Sequence, residues 1–225
     1  MLPGNPDTLR FAAGWCDRPE TPLDHESAWY EAGMFVRYLV RRCGHGFLRD
    51  VWMASDERET PMEAIVRLLP KEDRSSFFSD YAMDSYFLWE PASCGFAPDV
   101  YSRYGDRAVE ESFVLRPGDD PKVVQGTLDH LACRYYRIYL VEGVTGLDCH
   151  LVQSAQCKLQ ARLGVVTADK RRDSDRPLPR EGAELLHLDP RRIDHVVLAV
   201  INAGYAADHD NLQYELELGA SWSPT

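Results

Sequence analysis

Residues 29–52, WYEAGMFVRYLVRRCGHGFLRDVW, read as two helices joined at a tight glycine turn. In the first, Ala28, Ala32, Phe35, Val36, Leu39, Val40 and Cys43 recur at three- and four-residue steps, the stripe that one helix face presents to a core. Arg37, Arg41 and Arg42 gather toward its C-terminal end, where cations suit the helix dipole, and Gly44 stands where a left-handed cap belongs. Phe47, Leu48, Val51 and Trp52 repeat the apolar pattern in the second helix. The pair predicts architecture and carries no chemistry of its own.

Upstream, residues 1–28 are proline-bearing and weakly periodic, with an apolar patch at Leu9, Phe11, Ala12, Ala13 and Trp15. Downstream, Thr60-Pro61-Met62-Glu63 is a capping signature, and Met62, Ile65, Val66, Leu68 and Leu69 supply a buried face that Pro70 ends. A further helix is predicted from about Ser75 to Leu88. Its Phe77, Phe78, Tyr81, Ala82 and Tyr86 are spaced for helical burial rather than for an aromatic ligand box. Pro91 and Pro98 then flank Cys94 and Gly95 in a loop where helical character stops.

From Val109 the texture changes to alternation. Phe113 to Leu115 precede the turn Pro117-Gly118-Asp119-Asp120-Pro121, and Val123, Val124 and Leu128 follow it. Arg134 to Val141 is rich in aromatic and β-branched residues, and Leu147 to Val152, Lys158 to Val166, His195 to Asn202 and Gln213 to Leu218 are further strand candidates. Short strands with turn signals and no intervening helices predict an antiparallel β-sandwich. The fold class expected is α+β: a helical subdomain over residues 1–108 followed by a β-sandwich domain over 109–225. The polar run 168–183, ADKRRDSDRPLPREGA, is expected to be a surface hairpin loop or a mobile excursion.

Composition narrows the function classes. A hydrophobic fraction of 44% is ordinary for a folded protein, and no apolar run approaches the roughly 18 residues of a membrane helix. No membrane span is therefore expected. The net charge of -11 argues against a nucleic-acid partner, which requires clustered cations. The basic cluster Lys170 to Arg172 is followed by Asp173 and Asp175 and reads as a solvated loop. Six cysteines match no zinc module. Cys133, Cys149 and Cys157 fall among the strands, where either a bridge or buried thiols is open. The start, MLPGNPDTLRF, shows neither the charged nor the apolar region of a signal peptide. The compartment is left unknown: a cytoplasmic protein and a chain that begins partway along a longer one both fit.

No catalytic, cofactor-binding or metal-ligating residue is assigned. His25-Glu26-Ser27-Ala28-Trp29 begins as a zincin helix would but puts tryptophan where the second histidine belongs, and indole offers a metal no lone pair. Asp169, Asp173 and Asp175, like Asp208, Asp210 and Asn211, lack the spacing of a calcium loop and read as solvated turns. There is no nucleophile elbow and no phosphate-cradling glycine pattern. His45 belongs to the glycine turn, and His130, His150, His187, His195 and His209 fall into no metal-binding pair on one element. Glu110 and Glu111 are adjacent and point apart in a strand.

Trp15, Pro22-Leu23, Tyr30, Gly33, Phe35, Tyr38-Leu39, Gly44, Leu48 and Val51-Trp52, followed by Ile65, Leu68, Leu69, Phe77-Phe78 and Tyr81-Ala82, form a run of landmarks over roughly residues 9–90. This run resembles the segment that follows the active-site helices in secreted zinc metallopeptidases of the gluzincin type. The resemblance implies a helical subdomain that supports a zinc site, an appended β-sandwich and a secreted protein. It also implies that the HExxH helix and the helix donating the glutamate ligand would lie before residue 1, so no family catalytic residue carries over.

Two functions follow. In one, the chain is the non-catalytic C-terminal portion of a metallopeptidase-like protein, helical support plus accessory sandwich, not an enzyme in isolation. Its expected partner is a protein or peptide substrate, or an upstream catalytic segment, and no cofactor is expected. In the other, the sandwich is a binding module for protein or carbohydrate, with Tyr135, Tyr136, Tyr139, Tyr205 and Trp222 as available aromatics. The first reading further expects an exposed apolar face near Leu9 to Trp15 and the first helix.

Overall fold

Glycine sets the first corner of the chain. The computed structural model describes residues 18–25, 32–56, 58–74, 76–87, 109–153, 159–169, 172–178, 184–205 and 209–222, with backbone alone at 32 and 184–187. Helix α1, Ala32–Cys43, and helix α2, His45–Ala54, meet at Gly44, whose φ of 87° is a left-handed conformation that a side chain would strain. Helix α3, Pro61–Leu68, opens on a capping box: the Thr60 hydroxyl accepts from the Glu63 N–H, and the Glu63 carboxylate accepts from the Thr60 N–H at 2.7 Å. Helix α4, Phe77–Tyr86, is buried along nearly its whole length. Its Phe77 and Tyr81 lie edge-on to Phe35 of α1 at 5.5 and 5.0 Å, and both also meet the Tyr38 ring. These aromatics are core, where such pairs add to the area they bury.

Nine strands follow among the described residues: β1 Val109–Leu115, β2 Lys122–Leu128, β3 Ala132–Leu140, β4 Val144–Gln153, β5 Leu159–Thr167, β6 Arg172–Pro177, β7 Glu184–His187, β8 Ile193–Asn202 and β9 Leu212–Trp222. They form a five-stranded sheet, β1-β3-β8-β5-β6, and a four-stranded sheet, β2-β9-β4-β7. The molecule is mostly β, sandwich-like, with a smaller helical portion.

Strand β8 explains the layering. Val196 to Ile201 are each 0% exposed, so both faces of this strand are covered, as expected of a continuous apolar run. Val196, Leu198 and Val200 face the four-stranded sheet in a core with Tyr136, Ile138, Leu147, Leu216 and Leu218. Val197, Ala199 and Ile201 face the opposite way, into a second core with Phe35, Leu39, Ile65, Phe77, Tyr81 and Met83 of the helices. The five-stranded sheet is thus a middle layer, with helices on one face and the second sheet on the other. Helix α4 packs closely on the sheet at Gly164 of β5, where an added Cβ would lie 2.9 Å from the Phe87 ring and 3.0 Å from Met83 Cε.

Several expectations are corrected. The two sheets are not wholly antiparallel, because β1 runs parallel to β3. The turn after β1 carries the chain into the other sheet as β2, and β3 then returns beside β1 in the same direction. The run 168–183 is not only a loop: Arg172–Pro177 is edge strand β6, antiparallel to β5. Its side chains gave no apolar alternation because they are held by ion pairs. Tyr135 and Tyr136, expected as aromatics available for binding, are 1% and 0% exposed, because β3 is covered on both faces there. Trp52 and Val36 match the apolar stripe in spacing, yet they are 83% and 41% exposed. The boundary expected near residue 108, the patch Leu9 to Trp15, Cys157 and Asp208 lie outside the described residues.

Candidate functional site

Four polar constellations join elements distant in sequence. The most enclosed lies where α4 meets the five-stranded sheet. Arg137 of β3 donates from Nε and Nη2 to the Tyr86 hydroxyl, each at 3.3 Å, and that hydroxyl shares a 2.9 Å bond with His195 Nε2. With its lone pairs facing Arg137, the phenol donates its proton to Nε2. The other ring nitrogen, Nδ1, is then the protonated one and donates to Asp194 at 2.6 Å. An Asp-His-Tyr chain of this kind could move a proton. Here Tyr86, Arg137 and His195 are 4%, 8% and 2% exposed, which makes it a pin between helix and sheet.

Beside it runs a charged seam. Arg42 of α1 bridges Asp73 at 2.6 Å and Asp80 at 2.8 Å. Asp80 also accepts from Arg162 of β5, which bridges Asp175 of β6 at 2.7 Å. Arg172 pairs with Asp175 and, at 2.8 Å, with Asp84 of α4, and its guanidinium lies 4.9 Å over the Phe87 ring. Asp175 is therefore not the solvated turn residue expected; its side chain is 4% exposed. Asp169 accepts from the Thr167 hydroxyl at 2.5 Å. Among the described residues, no group of three or more His, Cys, Asp or Glu is placed to hold a metal ion.

A third constellation closes one end of the sandwich. His130 faces Asp210 with Nδ1 at 2.5 Å and Asp24 with Nε2 at 2.9 Å, so both ring nitrogens act as donors toward carboxylates. Burial alone would push this imidazole down, but the hydrogen bond and charge of Asp210, together with Asp24, outweigh it and hold it above the ordinary value. Burial conversely favours a raised Asp210, and its bonds to His130 hold it below the ordinary carboxylate value instead.

The clamp fastens residues 18–25, which also bond to the sheet through Leu23 N–H to Leu131 O at 3.1 Å and Cys133 N–H to Pro19 O at 2.8 Å. The His130 contribution is fully present below about 6.5 and is lost as pH rises through the raised folded value. That of Asp210 is present above about 3.8 and is lost as pH falls through its lowered one. Amide exchange at Leu23 and Cys133 is expected to accelerate, relative to strand β8, as pH rises past neutrality. His130→Gln should abolish that step while leaving β8 protected.

The fourth lies beside edge strand β2. A pocket of about 850 Å³ is lined by β2, the start of β9, the end of β4 and Arg134 of β3. Gly126 leaves room there for the Tyr214 side chain, whose hydroxyl sits 2.5 Å from where a Cβ would be. Tyr214 reaches under β2 to a 2.5 Å bond with Tyr136. Burial raises both phenols above their ordinary values. Arg134 pairs with Glu110 at 3.1 Å, while its buried Nε has no hydrogen-bond partner among the described residues.

The remaining candidates are dispersed. His45 is exposed on α2, and His150 lies 3.5 Å from Glu217 on the outer sheet face. Tyr205 and Trp222 are 38% and 48% exposed, and neither stacks on another ring among the described residues. Cys133 faces the helical core and Cys149 the space between the sheets, so these two do not bridge each other. Tyr86 lies 51 residues from Arg137 and 109 from His195, separations that leave no local signal; Asp194 is adjacent to His195, but an Asp-His pair alone matches no motif. Arg134 had no local signal either.

No family model matches the chain, and no curated protein matches it. Among solved structures, the pre-peptidase C-terminal domain of a collagenase from Bacillus anthracis is similar over 50% of this chain and 98% of that one, at 13% identity and a TM-score of 0.35. The likeness is too slight to carry a functional argument.

Proposed function

We propose that this chain is the non-catalytic C-terminal portion of a metallopeptidase-like protein, in which the helices support a catalytic segment and the sandwich is an accessory module. The observation that carries the reading is on α2. Trp52 is 83% exposed and Met53 78%, adjacent large apolar side chains on a helix that packs against α1 and α3, while α4 lies against β5 and β8. Paired exposure of this kind marks a surface that another element covers. The helical layer is also anchored from behind, by a shared core, the Tyr86 pin and the Arg42–Asp80–Arg162 chain. A platform of that stiffness suits the support of a zinc-bearing helix pair.

The test is metal analysis and casein hydrolysis on the purified chain after dialysis against zinc. Neither bound zinc nor hydrolysis is expected. Stoichiometric zinc together with peptide cleavage by this chain alone would overturn the proposal. A second reading, the sandwich as a binding module, is favoured by the pocket beside Arg134 and not by an aromatic platform.

A further inference from the structure

We infer that residues 18–25 are a releasable strap over one end of strand β3, let go at the Asp24 end when His130 loses its charge. The device is independent of any catalytic partner and of what the sandwich binds. Strand β1 covers the edge of β3 only from Tyr135 onward. Before that residue the strap takes its place: the Cys133 N–H donates to Pro19 O at 2.8 Å, and Leu131 O accepts from the Leu23 N–H at 3.1 Å. Leu23, 3% exposed, joins the helical core that also holds Leu131 and Cys133. Only Pro19 and Leu23 of the strap are buried, so it is a locally weak unit on a strong sheet.

The two arms of the His130 clamp are held unequally. On the sheet side, Asp210 accepts from the ring of His130 at 2.5 Å and from its backbone N–H at 3.0 Å. The turn that carries Asp210 is fixed in its own right: the buried Asn202 amide donates to His209 O at 2.7 Å, and the Asn211 N–H donates to Asp129 at 3.0 Å. On the strap side, Asp24 is 44% exposed, and among the described residues its carboxylate meets His130 Nε2 alone, at 2.9 Å. The titratable groups gathered here are Asp24 and His25 on the strap, Asp129 before β3, and His209 and Asp210 before β9.

A charged imidazole donates from both nitrogens, whereas a neutral one keeps a single N–H and turns a lone pair to its other neighbour. The remaining proton stays on Nδ1, toward the better-held Asp210. Nε2 then presents a lone pair to the Asp24 carboxylate, and attraction becomes repulsion. The two carboxylates hold the imidazole above its ordinary value, so the strap is latched below about 6.5, while they stay ionised, and slackens as pH rises through the raised one. Slackening bares the short edge of β3 before Tyr135 and opens the Cys133 thiol, 0% exposed when latched, to solvent.

The experiment follows the full chain from about pH 6 to about pH 9, reading the histidine ring nitrogens by NMR and Cys133 alkylation by peptide mass spectrometry. The neutral His130 ring is expected as the Nδ1–H tautomer. Cys133 alkylation, corrected for thiolate formation with a small reference thiol, should rise about tenfold, the order of one lost charge-assisted hydrogen bond. Cys149, buried between the sheets, should stay protected throughout. Asp24→Ala, a substitution at an exposed side chain, should give the fast rate already at the acid end, with no further rise. An Nε2–H tautomer assigns the release to Asp210 and overturns the inference. It is equally overturned by a corrected rate that ignores pH, by an Asp24→Ala rate equal to the native one, or by Cys133 and Cys149 reacting together, which marks global opening.

Discussion

Asp175→Ala is expected to lower stability by about 3 kcal/mol, read as a shift in the midpoint of urea unfolding at constant slope. Its carboxylate is the meeting point of Arg162 and Arg172 at a side-chain exposure of 4%. Removing it leaves two guanidinium groups facing each other, one of them, Arg162, only 11% exposed. Arg162 keeps Asp80 and Arg172 keeps Asp84, which bounds the loss. Asp84, at 41% exposure, is the control, because an exposed pair contributes less than about 1 kcal/mol. If Asp175→Ala and Asp84→Ala cost the same, the seam is surface charge and not a joint between α4, β5 and β6.

Leu198→Ala and Ile201→Ala should each cost about 3 kcal/mol, the range for truncating a fully buried aliphatic side chain. Both residues are 0% exposed on β8 but point to opposite sides, Leu198 between the sheets and Ile201 toward the helices. The informative result is the form of the transition. Because one strand floors both cores, each variant is expected to move a single unfolding transition, followed by near-ultraviolet dichroism of the helical aromatics and by far-ultraviolet dichroism of the sheets. Two separated transitions, with Ile201→Ala moving only one, would mean that helices and sandwich fold independently.

The sequence by itself determined the elements whose local chemistry and burial agree. Gly44 between two apolar stripes, the Thr60–Glu63 box and the alternating strands after Val109 were all legible, because each is written within a few neighbouring residues. What only the tertiary structure decided is which faces are covered. Tyr135 beside Tyr136, both buried, and Trp52 in an apolar stripe, yet exposed, are opposite failures of one assumption, that every amphipathic element has one wet side and one dry side. Strand β6 was invisible because Asp175 and Arg172 stabilise it through Arg162 and Asp84, partners up to 88 residues away in the chain. The candidate sites share that origin. The Tyr86–His195 pin, the His130 clamp and the pocket beside Arg134 are each assembled from separate elements, and hydrogen bonds between them depend on a three-dimensional register that no sequence spacing encodes.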